Sequence, residues 1–476
     1  MNGFDRRLRG ILALSWLAAF TPILDLDIVT TALPRIGRAF DVGASDLAWV
    51  VNAYIIVFAI SILAVGRIGD AVGRRRVLVG GALLFAFATA GAAAAPSLPV
   101  LLTMRALQGL GGSAMLTTSL AIVSASFEPS VRARALGVYF SGGALGGVAG
   151  PVLGGMLVSA FGWRAMFALQ VPLAVAVAAL AITLLPETER RSRSLDLPGL
   201  ALGTAALLGL NVALLGADDW GWLSAPSAVA WAAALVAIAG FVVRERAARD
   251  PAVRLAVFRN PRFVAASLVG AGAWFSILAV SVQIPIRLQQ GYGLDPAATG
   301  VLLLSWALSA FFAFPRVGAL VPRLGERRLM VAGMAVTVGA LAVLAALDSS
   351  APVWLVVPIG ALMGPAMAAA IVPSTSLAVA QFPPEEAGTA SGVFNSLRQL
   401  GSALGVAVPA AAYDVAAGGS FAGAAVFDGT RVALAVSAVS AGLAAVGAAR
   451  LMARHERAAA TVPAAQRPAP APSRSG

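Results

Sequence analysis

Cysteine, lysine and histidine are almost missing from this 476-residue chain, which contains no cysteine, no lysine and a single histidine, His455. Without thiols, disulfides and thiolate metal sites are excluded, and one imidazole excludes histidine metal sites and most general-base chemistry. Charged residues make up 12% of the chain, against roughly 25% in a soluble domain. We therefore expect no metal, no cofactor and no enzymatic activity.

Apolar residues are abundant instead, at 59% of the chain with a mean hydropathy of +0.86. A helix that spans a membrane needs about 20 mostly apolar residues. Fourteen such segments can be counted, at about 10–34, 46–66, 77–95, 98–126, 133–160, 164–185, 197–216, 226–243, 262–286, 297–321, 329–347, 353–379, 388–412 and 430–452. They leave room for short loops, and the chain is predicted to be an all-α integral membrane protein.

The net charge of +12 is explained by membrane topology. With the N-terminus inside, most arginines fall on the cytoplasmic side, and the opposite side receives only Arg35, Arg38, Arg164, Arg287 and Arg431. We therefore predict a multi-pass protein of the bacterial cytoplasmic membrane with both termini in the cytoplasm. Its surroundings are the lipid bilayer, and nucleic acid is not expected as a partner.

A basic segment at 244–262 divides the fourteen spans into eight and six, and spans 7 and 8 carry little polar content. This pattern predicts a 6+2+6 organisation. The predicted units are an N-terminal six-helix bundle (1–186), a two-helix insert (187–250), a C-terminal six-helix bundle (251–455) and a disordered cytoplasmic tail (456–476).

The junction of spans 2 and 3 reads GRIGDAVGRRR. Its glycines permit a tight turn, and an aspartate with arginines can pair or cap neighbouring helix ends. An ordinary positive-inside loop needs only the arginines. The spacing resembles the G-x-[LI]-[AG]-D-x-x-G-R-[RK] motif of the major facilitator superfamily. This resemblance implies a cytoplasmic gate, for which the candidates are Gly66, Gly69, Asp70, Gly73, Arg74, Arg75 and Arg134.

Span 5 carries a second motif, with the spacing G-x8-G-x3-G-P-x2-G-G. Small residues four positions apart let helices pack closely, and a proline removes a backbone donor. Generic helix packing would account for part of this pattern. The full spacing is similar to the signature of the proton-driven antiporters in the superfamily, which implies export and a hinge formed by Gly137, Gly146, Gly150, Pro151, Gly154 and Gly155.

Spans 1 and 4 carry charges inside the membrane. Span 1 contains LDLDIVTTALP, which resembles the L-D-x-T-I-V-N-x-A-L-P stretch of the fourteen-span drug:proton antiporters. Asp25 matches the family aspartate, while Asp27 and Thr30 depart from the pattern. In span 4, Arg105 and Gln108 match an R-x-x-Q-G motif. At 1.5 Å per residue, Asp25 lies about 13 Å and Arg105 about 10 Å from the outer surface. At these similar depths Asp25 and Arg105 can meet across the bundle. The resemblance implies coupling to protons, and these two residues are our candidates for it.

Asp25 and Asp27 lie about 200° apart around a helix, so they cannot both face one cavity. Asp27 either faces the cavity or pairs with another helix.

Span 13 resembles an R-Q-x-G region and places Arg398 about 15 Å deep. A cavity of this kind is mostly apolar with a few polar groups. The candidate cavity residues are Asp27, Thr30, Thr31, Asn52, Tyr54, Gln108, Tyr139, Trp274, Gln283, Asn395 and Arg398.

The resemblance implies a fold of fourteen helices, in which two six-helix bundles surround a central cavity and alternate in access. It implies proton-driven export of a drug-like small molecule by a monomer. The alternative is a proton-coupled importer of a small nutrient or metabolite. A channel would need a continuous polar lining, and a membrane enzyme would need a catalytic cluster; neither pattern is present in the sequence.

Overall fold

The computed structural model describes residues 5–186, 196–221, 224–248, 251, 253–418, 420 and 423–460. Within these ranges the chain forms helices and turns and no β-strand. The α-helices are α1 (Arg6–Thr30), α2 (Leu33–Phe40), α3 (Ala44–Val72), α4 (Arg74–Ala93), α5 (Leu98–Ser126), α6 (Pro129–Phe161), α7 (Trp163–Leu184), α8 (Leu197–Trp220), α9 (Ala225–Ala247), α10 (Pro261–Ile286), α11 (Pro296–Leu324), α12 (Glu326–Ala346), α13 (Val356–Val379), α14 (Ala387–Ala417) and α15 (Ala424–Ala460). All except the short α2 are long and apolar enough to cross a membrane, which confirms the predicted fourteen spans.

The helices form two bundles that follow the chain order. In the first bundle α1 packs on α6, and α4 lies between α5 and α7; in the second, α10 packs on α14 and α15, and α12 on α13 and α15. The bundles meet at two seams, one between α6 and α11 and one between α3 and α14. The insert helices α8 and α9 pack on each other, and α8 also contacts α3 and α14.

The motif at 66–76 was predicted as a loop, and this prediction is wrong in one respect. Helix α3 continues to Val72, and Gly73 alone, at φ 107°, breaks the helix before α4 begins. In lipid every backbone amide and carbonyl needs an internal partner, so a helix continues until a residue permits the turn. Gly325, at φ 82°, ends α11 in the same way. The sequence GALVPRLGERR at 318–328 has glycines and arginines at the same spacing as GRIGDAVGRRR at 66–76, so the two halves of the chain repeat this turn in sequence and in structure.

Polar contacts join the two helices of the insert to each other and the insert to the segment that follows it. Arg244 donates two hydrogen bonds to Asp196, at 2.8 and 3.1 Å, and Glu245 accepts one from the backbone N–H of Val253 at 2.8 Å. Burial raises the pKa of Asp196 and the bonds from Arg244 lower it, with a net shift downward. The two helices of the insert are therefore joined to each other at one end, and the second helix is also held to the segment that follows it.

The predicted tail differs at its start. Residues 456–460 were predicted to be disordered, but α15 continues through them to Ala460. The remainder of the predicted tail and the predicted connection at 187–195 lie outside the described residues.

Candidate functional site

A cavity of about 360 Å³ lies between the two bundles. Helices α1, α3, α5 and α6 line it from the first bundle, and α10, α11, α13 and α14 line it from the second. Five of the predicted cavity residues are in this lining, namely Asp27, Tyr139, Trp274, Asn395 and Arg398. The other lining residues with large or polar side chains are Ile23, Leu26, Phe58, Ile62, Leu116, Phe140, Ile277, Ser281, Trp306, Phe314, Met367, Ile371 and Gln399.

The remaining predicted cavity residues do not line this cavity. Thr30 and Thr31 donate their hydroxyl hydrogen bonds to carbonyls of α1 itself, both at 2.7 Å. The other four belong to the bundle interiors or flanks and do not line this cavity: Asn52, Tyr54, Gln108 and Gln283. A polar residue inside a membrane protein often bonds within its own bundle, and sequence position alone does not distinguish the two settings.

Asp25 and Arg105 form an ion pair in the interior of the first bundle. Arg105 Nη1 lies 2.5 Å from Asp25 Oδ2, and both side chains are completely buried. Gln108 joins the pair, since its Oε1 accepts from Arg105 at 2.9 Å and its Nε2 donates to Asp25 at 3.3 Å. Arg105 also donates to the carbonyl of Val50 at 2.8 Å and lies over the ring of Tyr54, 4.6 Å from its centroid. The structure thus brings the two predicted coupling residues together.

Helix α1 presents its two carboxylates on opposite faces. Asp25 points into the first bundle toward α5, whereas Asp27 lines the cavity between the bundles. In the described part of the chain Asp27 forms no ion pair. Of the two settings predicted for Asp27, the structure places it in the cavity.

Glycines of α6 form the surface on which α1 lies. Gly146 faces the backbone of α1 at Phe20 and Leu24, and Gly150 faces the Cβ of Asp27 and the backbone at Asp27 and Ile28. Gly154 faces the hydroxyl of Thr31 and the side chain and carbonyl of Ile28, so the two helices approach closely along this row. Gly142, which lies outside the predicted motif, continues this row against Trp16.

The other predicted hinge residues have different surroundings. Gly137 packs across the seam on Phe314 and Gly318 of α11. Gly155 has no atom within 4 Å of the position of a Cβ. Pro151 lies exposed within α6, which is assigned as one continuous helix from Pro129 to Phe161.

Asp70 caps the start of α14 in the opposite bundle. Its carboxylate accepts from the N–H groups of Gly388 and Thr389, at 2.8 and 2.6 Å, and from the Thr389 hydroxyl at 2.8 Å. Arg74 donates to Asp70 at 2.9 Å and to the carbonyls of Pro384 and Glu385 at 2.8 and 3.1 Å. We call this end of the bundles the gate end, because here one bundle directly closes on the other.

Glycines complete the contact at this seam. Gly66 packs directly on the backbone of Gly388 and Gly392, and a Cβ there would lie 3.2 Å from the Gly392 Cα. Gly69 lies beside the Arg74 side chain, and Arg75 donates to the carbonyl of Ile182 within its own bundle at 2.8 Å. The predicted gate residues from 66 to 74 are therefore assembled around a single helix start.

The second seam has the same glycine packing without a carboxylate cap. Gly318 of α11 packs on the backbone of Ala133 and Arg134, so the structure places the predicted gate residue Arg134 at this seam. Pro322 stands four residues after Gly318, as Asp70 stands four after Gly66. The side chain of proline offers no acceptor, so among the described residues this carboxylate cap is found at the first seam and not at the second.

Several cavity residues were not predicted. Phe140, Trp306, Phe314 and Met367 are apolar, and a sequence gives no signal that separates an apolar side chain facing a cavity from one facing lipid. Gln399 could have been found, because it directly follows Arg398 in the motif of span 13.

Comparison with known proteins agrees with this architecture. Residues 15–406 match the Major Facilitator Superfamily. The chain is 34% identical over 394 residues to the multidrug resistance protein Stp of Mycobacterium tuberculosis, which covers 82% of this chain and 73% of that protein. It is 32% identical over 387 residues to the tetracenomycin C resistance and export protein of Streptomyces glaucescens, covering 81% of this chain and 72% of that protein.

A solved structure shares the fold at low sequence identity. The human organic anion transporter MFSD10 superposes with a TM-score of 0.68 at 19% identity, over 93% of this chain and 100% of that one. The fourteen membrane helices, the two bundles and the family match over most of the length lead to one conclusion: the chain is a multi-pass membrane protein that belongs to the Major Facilitator Superfamily of transporters.

Proposed function

We propose that the protein exports amphipathic, drug-like small molecules across a bacterial cytoplasmic membrane by alternating access, in exchange for protons. The observation that carries this proposal is the cavity between two bundles, together with a gate at one end whose bonds cross the bundle interface. A transporter of this type works when the two bundles rock around a fixed central site. One chain contains the whole cavity, so the proposed working unit is a monomer.

The direction and the cargo class are supported by the relatives. Two of them are named for multidrug resistance and for resistance and export. The cavity fits such cargo, since it is largely apolar and aromatic with a few polar groups, the usual composition of a small-molecule site. The arginine distribution supports a gate end that faces the cytoplasm, with both chain termini on that side.

The ion pair of Asp25 and Arg105 supports the proton coupling. Protonation of Asp25 would leave the Arg105 charge buried without its counter-ion, and an unpaired buried charge is strongly unfavourable. Proton binding therefore requires α1 to move relative to α5, so that the charge of Arg105 is solvated or paired again. The proposed cycle uses the proton gradient and needs no cofactor.

The contacts of α1 supply a route from this movement to the gate. Helix α1 lies on the glycine row of α6, where the absence of side chains allows sliding, and α6 meets α11 at the second seam. At the first seam the Asp70 cap stabilises the closed gate. In the proposed cycle, a proton taken up by Asp25 from outside shifts α1 and α6 until the gate opens toward the cytoplasm.

The test uses inverted membrane vesicles with an imposed pH gradient and a pH-sensitive dye. Cationic and neutral drugs are added to vesicles that contain wild type, Asp25→Asn or the control Asp41→Asn. Asp41 is exposed and has φ 54°, a conformation that asparagine tolerates well. We expect drug addition to dissipate the gradient in wild type and in the control, and not in Asp25→Asn.

Other outcomes separate the alternatives. A response of Asp25→Asn equal to that of wild type would assign the proton to another group, and Asp27 would be tested next. If no drug changes the gradient in inverted vesicles, but right-side-out vesicles accumulate a nutrient when protons flow inward, the importer hypothesis replaces export.

A further inference from the structure

One wall of the cavity carries hydrogen-bond donors that have no acceptor in the described part of the protein. They are the Nε of Arg398, the Nδ2 of Asn395 and the Nε1 of Trp274. All three residues line the cavity, and Arg398 and Asn395 are only 7% and 3% exposed. A buried donor without a partner costs about 1–3 kcal/mol. Three such donors on one wall indicate that the missing acceptor belongs to a ligand.

The neighbours of these donors hold them in place. Asn395 Oδ1 accepts from Arg398 Nη1 at 2.9 Å, so the amide uses its oxygen on the arginine and keeps its N–H groups free to donate. The guanidinium lies 4.5 Å from the centroid of the Trp274 ring and 5.5 Å from that of Phe140. Stacking on two rings fixes the guanidinium plane without neutralising its charge, because aromatic rings supply no counter-ion.

The first bundle contributes a group of opposite charge to the cavity. Asp27 of α1 contributes a carboxylate, and the rest of the lining is mainly aromatic and aliphatic, including Trp306 and Phe314 of α11. A ligand that satisfies the cavity therefore has an aromatic body and an oxygen acceptor at the Arg398 end. Because Arg398 brings a full positive charge, the acceptor that complements it best is an anion.

We propose that Arg398, Asn395 and Trp274 form a subsite for an anionic oxygen group, a carboxylate or phenolate, on an aromatic substrate. This inference rests on the proposed export function and narrows its cargo. The substrate's acidic group binds the donor wall of the second bundle, and its apolar or cationic part extends toward Asp27. The resulting preference is for acidic or zwitterionic aromatic compounds over purely cationic ones.

The experiment compares two dyes that share one ring system. Rhodamine 110 carries a free carboxylate, and rhodamine 123 is its methyl ester. Binding of each dye to the purified full-length protein is measured by fluorescence anisotropy. We expect wild type to bind rhodamine 110 about tenfold more tightly, the change that a charged hydrogen bond of about 1.4 kcal/mol produces. Arg398→Gln should abolish this preference.

A matched pair of tryptophan variants isolates the hydrogen bond. Trp274→Phe keeps an aromatic ring against Arg398 and removes only the N–H donor, so binding of rhodamine 110 should weaken about fivefold, within the range of a single hydrogen bond, while the ester is unaffected. The control is Trp306→Phe, which changes another aromatic residue of the lining and should alter the affinity of both dyes by the same factor. Thermal unfolding of each variant verifies that it is folded.

The outcomes distinguish this inference from the export proposal. Equal affinity of wild type for the two dyes, no binding of either dye, or an equal loss for both dyes in Trp274→Phe would overturn the anionic subsite. The same dyes are then tested for uptake into inverted vesicles. Export of the ester without preference for the carboxylate would refute the subsite and leave the export proposal standing.

Discussion

Replacement of Asp70 by asparagine should open the gate end of the protein. The carboxylate accepts from two backbone N–H groups and one hydroxyl at the start of α14, and Arg74 pairs with it. Asparagine has nearly the same shape but carries no charge. It also turns one acceptor oxygen into an N–H₂ group that faces other donors.

The magnitude follows from these contacts. A hydrogen bond to a charged group contributes about 1.5–3 kcal/mol, and a carboxylate at a helix N-terminus adds up to about 1 kcal/mol. Since asparagine retains one acceptor, we expect the free energy of the closed gate to rise by about 3 kcal/mol relative to that of the open gate. That loss corresponds to a change of about 150-fold in the ratio of closed to open gates.

The lack of cysteine makes the assay direct, because spin labels can be attached without removing native thiols. Phe161, at the end of α6, and Val415, near the end of α14, are 76% and 88% exposed at the far end of the two bundles. Labels on Phe161→Cys and Val415→Cys report the distance between the bundles there. Alternating access predicts that this distance shortens in Asp70→Asn as the gate end opens.

Glu128→Gln is the control for this measurement. Glu128 is an exposed carboxylate at the start of α6, and its side chain makes no capping hydrogen bond. Its replacement should leave the distance unchanged. An identical distance distribution in wild type and in folded Asp70→Asn would refute the assignment of the cap as the bond that holds the gate closed.

Three further predictions concern the helices around the cavity. In Gly150→Ala the new Cβ would lie 2.6 Å from the Cβ of Asp27, so overpacking should lower the free energy of unfolding by about 1–3 kcal/mol and reduce transport. The control Gly155→Ala, where no atom lies within 4 Å of the new Cβ, should change neither quantity. Equal thermal stabilities of the two variants would contradict this prediction. Asp27→Asn should reduce the export of cationic drugs more than that of neutral ones, and equal losses, or none, in a paired efflux assay would contradict it. Arg105→Lys keeps the charge but loses the planar guanidinium that bonds to α1 and α3 at once, so drug addition should no longer move protons in vesicles although the protein still inserts and folds. Full proton movement in this variant would refute the role of the Asp25–Arg105 pair in coupling.

The features that the sequence predicted correctly depend on local rules. The length and hydropathy of apolar runs were enough for the fourteen spans. The rise of a helix was enough to place Asp25 and Arg105 at similar depth, and in the structure they are paired. The opposite faces of Asp25 and Asp27 follow from helical periodicity in the same way.

The features that it missed depend on the arrangement of distant helices. Asp70 accepts a hydrogen bond from the N–H of Gly388, 318 residues away in sequence, and no local pattern identifies that partner. Tyr54 was predicted in the cavity, yet its hydroxyl donates to the carbonyl of Pro22 within the first bundle at 3.0 Å. Conversely, Phe140 and Trp306 line the cavity although their apolar side chains are equally suited to lipid.

The two faces of α1 have a thermodynamic consequence. One rigid helix carries both the group proposed to bind the proton and a group that lines the cargo cavity, two residues apart. Any cargo that favours one position of α1 changes the proton affinity of Asp25, and linkage requires the proton to change the affinity for that cargo by the same factor. The apparent pKa of transport is then a property of each cargo. Compounds that never touch Asp25 should still be distinguishable by the pH at which they are exported.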